Sequence, residues 1–88
     1  MGTYIVCETI AAITSHVRLV DESTPPRLGG HIHDRGPVLA LCGRKIAWDT
    51  RLPLFAVRCA ECVARIERLV ESGESVDEYR DTVNGSPR

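Results

Sequence analysis

Cys59-Ala60-Glu61-Cys62 sets two thiols three positions apart, and Cys42-Gly43 sets a third sulfur upstream with sixteen residues between Cys42 and Cys59. Thiols spaced in this way can share a metal ion, form a redox-active disulfide or fill a small core. Structural zinc takes a closed tetrahedron of thiolate and imidazole donors, so three cysteines call for one more ligand. A CxxC at the start of a helix suits this chemistry. Its first sulfur precedes the helix, its second sits one turn in, and the free amides there stabilise negative charge. A glycine directly after Cys42 lets the backbone curl so that amides point at a thiolate, as in a metal knuckle.

The fourth donor is open on spacing alone, with His16, His31, His33 and Cys7 all available. His31 and His33 lead directly into the apolar run Val38 to Leu41, so their loop closure onto Cys42 is short. His16 requires the Asp21 to Gly30 loop to bring it back, at an entropic cost that rises only slowly with length.

Composition favours a metal over the other uses. A chain of 88 residues is one domain at most, and a domain of this size buries only about 60 to 65% of its unfolded surface. The residues are 43% hydrophobic but only 5% aromatic, so bulky core-filling side chains are scarce. A staple is expected. No apolar run approaches the roughly 20 residues of a membrane span, and Met1 to Ile13 lacks the pattern of a signal peptide. The expected location is therefore the cytoplasm, with no membrane partner. There, clustered cysteines serve as ligands or catalysts rather than structural disulfides.

The formal net charge is −1, which excludes the basic excess that drives non-specific nucleic-acid binding. Charge is nonetheless uneven. Residues 1 to 66 carry eight basic side chains against six acids, and residues 67 to 88 carry three against six. Arg18, Arg44, Lys45, Arg51 and Arg58 lie near the proposed site in sequence and are candidates to meet phosphates. Among the eleven basic residues only Lys45 is a lysine, a bias expected of a GC-rich genome.

The elements that must position these donors read as α+β. Tyr4 to Cys7 and Ser15 to Val20 predict strands, the second with Val17 and Leu19 inward and His16 and Arg18 on the other face. Asp21 to Gly30, with Pro25-Pro26 and Gly29-Gly30, predicts an irregular loop, and Arg35-Gly36-Pro37 a turn. Val38 to Leu41 reads as a buried strand running into Cys42, and Lys45 to Trp48 as its antiparallel return. From Cys59 the period becomes helical, with Cys59, Cys62, Val63, Ile66, Leu69 and Val70 on one face. Gly73 ends that helix. Ser75-Val76-Asp77-Glu78 predicts a capping box for a short C-terminal helix to about Val83. The expected organisation is a zinc-binding domain over residues 1–73 and an acidic helical tail over 74–88.

The pattern Ser15-His16-Val17-Arg18, then Ala40-Leu41-Cys42-Gly43-Arg44-Lys45, Trp48, Pro53, Phe55, Val57, Cys59 and Cys62 resembles small zinc-finger-like proteins of actinobacteria and their phages. The resemblance covers about residues 15 to 66. It implies that the histidine upstream of Cys-Gly is the remaining ligand, which gives His16, Cys42, Cys59 and Cys62 as the zinc set.

Other residues read more plainly. Trp48 and Phe55 are expected to pack over the site rather than stack on bases. Glu61 lacks the His-x-Glu and Pro-Cys-x-x-Cys setting of the zinc deaminases and is not assigned a catalytic role. The resulting expectation is a non-catalytic zinc-binding module that meets a protein or nucleic-acid partner, with no small-molecule substrate indicated. The alternative is a redox or iron–sulfur sensor using Cys7, Cys42, Cys59 and Cys62, although the spacing differs from the common cluster patterns. A zinc hydrolase would need an open coordination position.

Overall fold

A computed structural model describes residues 2–9, 14–26 and 38–79. Its order is β1 (Gly2–Thr9), β2 (Ser15–Val20), β3 (Ile46–Asp49), a 3-10 turn (Leu54–Ala56), α1 (Ala60–Glu71) and β4 (Val76–Glu78). The fold is α+β. β1 is central, with β2 antiparallel on one edge; β3 pairs antiparallel with its end and β4 parallel with its beginning.

Strand alternation alone would expose one face of this sheet, yet both are largely covered. Val17 is buried as the pattern predicts, but Leu19 is 42% exposed while His16 and Arg18 are buried. The inward assignment of Leu19 is therefore corrected: the polar face is the better covered one. Arg18 explains how a charge can be there. Its Nε and one terminal nitrogen donate to Asp49 at 2.8 and 2.7 Å, reaching from β2 across β1 to β3. The remaining donors meet the carbonyls of Leu19, Thr24 and Pro25 at 3.1, 2.8 and 2.9 Å. Arg18 is thus a buried tie among three strands and the loop after β2, and the reading that offered it to phosphates is withdrawn.

The core joins Tyr4, Cys7, Val17, Val38, Ala40, Ile46 and Cys62. On α1 the covered stripe is narrower than its pattern predicts. Cys62, Ile66 and Leu69 pack inward, whereas Val63 and Val70 are 36% and 58% exposed. Gly73 ends the helix at φ 90°, donating to Val70, while the Glu74 amide donates to Leu69. These paired bonds satisfy the last carbonyls in the way a left-handed glycine cap does.

The chain beyond Gly73 departs from the expected helix. Val76–Glu78 instead forms β4, and the amides of Gly2 and Tyr79 donate to the carbonyls of Ser75 and Tyr4. The edge of β1 that β3 leaves open supplies ladder partners that outweigh a weak local capping signal, and β-branched Val76 suits a strand. These residues of the expected tail belong to the sheet. The end of the predicted helix near Val83 and the Arg35-Gly36-Pro37 turn lie outside the described residues, as does the part of the loop from Arg27 to Gly30.

Candidate metal centre

Two stretches of chain converge on the outer edge of β2. That edge presents the carbonyls of Ser15 and Val17, one on either side of His16. The Leu41 amide donates to Val17 at 2.9 Å, and the amides of Arg58 and Cys59 donate to Ser15 at 3.2 and 3.0 Å. The Ser15 hydroxyl donates to the Ala56 carbonyl at 2.8 Å and accepts from the Arg58 amide at 2.9 Å. The segments before Cys42 and before α1 are thereby held beside His16, and their cysteines come with them.

Cys42 rides on a tight hairpin. Leu39 bridges Lys45; Ala40 donates to Arg44 and Gly43 donates to Ala40, each at 2.9 Å. Only Val38 and Ala40 of the predicted strand are buried, and Leu39 is 52% exposed, so this run is a short hairpin arm with one inward face. The Gly43 amide is consumed by the turn, where it donates to the Ala40 carbonyl. Gly43 sits at φ 93°, and a Cβ added there would meet no atom within 4 Å. Gly43→Ala is therefore expected to cost about 1–2 kcal/mol through backbone conformation alone. Thermal unfolding followed by Trp48 fluorescence measures this, and an unchanged midpoint would contradict it.

Cys59 is the N-cap residue of α1 and Cys62 lies one turn in. One donor atom from each of His16, Cys42, Cys59 and Cys62 falls within 4.8 Å of all the others. His16 Nδ1 stands 3.4 Å from Cys42 Sγ and 3.8 Å from Cys62 Sγ. A tetrahedron with Zn–S near 2.3 Å and Zn–N near 2.0 Å has edges of roughly 3.5 Å between nitrogen and sulfur. The observed separations bracket that value. The group can hold a metal ion.

Electrostatics suit a cation at this point. Burial pushes the Cys62 thiol up to about 12 even though backbone amides of the site favour its thiolate. A divalent ion is what would hold so deeply placed a sulfur in its charged form. Burial also opposes charge on Cys59, but the amide and thiol of Cys62, the Cys42 thiol and the Glu61 amide outweigh it and draw this thiol below its ordinary value. Burial and then the charge of Arg44 lower His16, favouring a neutral imidazole. Its Nδ1 faces the sulfurs, while Nε2 is buried with no hydrogen-bond partner among the described residues.

Cys7 stands beside His16 in the β1–β2 register and is fully buried, yet it is not one of the four grouped donors. Burial first, and then the charges of Asp49 and Cys62, raise its thiol, as befits a protonated core residue. His31 and His33 lie outside the described residues. Glu61 is exposed and pairs with Arg65 at 3.1 Å across one helical turn. The packing expected of the aromatic pair is corrected. Trp48 is 36% exposed and donates to Glu8 at 2.8 Å, and Phe55 is 92% exposed. Sequence reasoning also missed Asp49 as the partner of Arg18; an acid 31 positions away leaves no local signal.

Among the described residues no helix is long and apolar enough to cross a membrane. Compared with known proteins, the chain matches no family model, no curated protein and no solved structure.

Proposed function

We propose that the protein is a small, non-catalytic zinc-binding module of the cytoplasm, whose structural site of His16, Cys42, Cys59 and Cys62 supports contact with a protein or nucleic-acid partner. The observation that carries this reading is the convergence of four donor atoms within 4.8 Å from separate parts of the chain. Three thiolates and one imidazole are a donor set suited to zinc. The pattern also supports placing the chain with the small zinc-finger-like proteins of actinobacteria and their phages.

The site and the core both support a structural role. Four protein donors fill a tetrahedral sphere, whereas catalytic zinc keeps a position for water or substrate. The buried apolar set contains Tyr4 as its one aromatic side chain. A bound zinc would supply a cross-link joining β2, the Cys42 hairpin and α1, with folding free energy on the order of 10 kcal/mol.

Metal analysis tests the proposal. The purified chain is expected to be colourless with one zinc per molecule, and its cobalt-substituted form to show the spectrum of tetrahedral thiolate coordination. Brown protein prepared without air would put an iron–sulfur centre in its place. His16→Ala is expected to weaken cobalt binding by more than the roughly 10–100-fold loss typical of an outer-sphere partner. Unchanged affinity would remove His16 from the ligand set.

A further inference from the structure

Phe55 presents its ring to water at 92% exposure, in a domain otherwise poor in aromatic side chains. The turn beneath it is braced from both sides. The Leu54 amide donates to Glu78 Oε2 at 3.1 Å, and the Ala56 carbonyl accepts the Ser15 hydroxyl at 2.8 Å. The turn itself closes through the Ala56 amide on Pro53 and the Val57 amide on Leu54. The ring is therefore carried on a fixed base. Beside it an open groove of about 430 Å³ is lined by Phe55, Ala56, Val57 and Arg58.

The acid at this turn, Glu78, is engaged through Oε2 by the Leu54 amide, and the chain that flanks the turn is basic. Asp49 is the one acid between Val38 and Ala60, and it is buried against Arg18. Arg44, Lys45 and Arg58 are exposed. Arg44 follows Cys42 by two residues and Arg58 immediately precedes Cys59. The sulfurs of those cysteines lie within 4.8 Å of each other, so both cations are carried on chain that borders one rim, that of the donor cluster. Glu61, the next acid along the chain, is paired with Arg65.

We propose that this rim binds single-stranded nucleic acid, with a base stacked on Phe55 and backbone phosphates met by Arg58, Arg44 and Lys45. An exposed ring offers a π-face that any base can use, and flanking cations track the backbone, which is how sequence-tolerant single-strand binders work. Bases within a duplex do not offer that face. A peptide anchor would instead be expected to enter a well-enclosed apolar pocket, and this groove is open and has Arg58 in its lining. The inference rests on the metal-module reading, because a bound ion would fix the Cys42 hairpin against the segment that follows Phe55.

The test uses the full chain as purified, with fluorescence anisotropy of a labelled twelve-nucleotide oligothymidylate. Binding is expected to weaken with salt at a log–log slope of about −2 for three phosphate contacts, and Arg58→Ala to make that slope shallower by about 0.7. Phe55→Ala is expected to weaken binding on the order of tenfold. Val70→Ser, on the last turn of α1, should leave it unchanged. Cobalt spectra of every variant separate the two readings. A normal spectrum with no oligothymidylate binding, or with Phe55→Ala equal to the parent, overturns this proposal alone. Equal affinity for a duplex of the same length overturns the single-strand assignment, and tighter binding of poly-glutamate assigns the surface to an acidic polypeptide instead. A chain that takes up no metal overturns the structural-zinc reading.

Discussion

Cys62→Ser is expected to unfold the protein. Cys62 is fully buried, its sulfur lies 3.8 Å from His16 Nδ1, and it belongs both to the apolar core and to the donor group. Losing one thiolate removes most of a metal contribution on the order of 10 kcal/mol, comparable with the whole net stability of about 5–15 kcal/mol available to an ordinary domain. Cys42→Ser and Cys59→Ser should behave alike, and so should the parent chain after exhaustive chelation. Far-ultraviolet circular dichroism and Trp48 fluorescence would report the loss of structure, and metal analysis the loss of the ion. Cys7→Ala is the informative contrast. It truncates an equally buried sulfur that is not among the grouped donors, so it should keep the metal and cost about 1–2 kcal/mol, as small core truncations do. A chelator-treated sample that still melted cooperatively at the parent temperature would sink the structural-metal reading.

The second large effect is expected away from the cluster. Arg18→Ala leaves the Asp49 carboxylate buried without the guanidinium that now contacts both of its oxygens. Breaking a buried pair from one side costs about 3–5 kcal/mol. For a domain of this size that corresponds to a fall of roughly 12–40 °C in Tm. Asp49→Ala should cost as much, since it strands the arginine. Arg18→Met combined with Asp49→Leu should recover part of the loss, because an apolar pair can replace buried charges. Recovery stays partial because the carbonyls of Leu19, Thr24 and Pro25 lose their donors. Denaturant titration of the four proteins checks the cycle. A double variant less stable than both single variants would show that the stranded partner charge does not account for their losses.

What could be read from the residues was what local chemistry encodes. Cys42-Gly43 and Cys59 to Cys62 announced a hairpin knuckle and a helix start because each needs only a few neighbouring residues to form. Gly73 announced the helix end for the same reason. Where partners are distant in sequence, the pattern misled. Alternation along Ser15–Val20 placed the apolar residues inward, but Asp49 supplies a buried counter-charge that makes Arg18 an interior residue and leaves Leu19 exposed. The capping signal at Ser75 lost to the edge of β1 that β3 leaves open, which nothing near Ser75 reveals. The place of Phe55 between the metal-binding elements suggests packing over the site; its exposure depends on how the turn is held by Ser15 and Glu78, both far away in the chain. Spacing likewise left the histidine donor open. The register of β1 with β2, and the anchoring of two other segments on either side of His16, bring that residue to the sulfurs.

The hydrogen bonds along the outer edge of β2 have a kinetic consequence. An ion held by His16 and the three sulfurs would depend on the same contacts that join the hairpin and α1 to Ser15 and Val17. Opening of that seam would separate the donors, so exchange with competing chelators is expected to quicken whenever the hairpin or α1 detaches locally from β2.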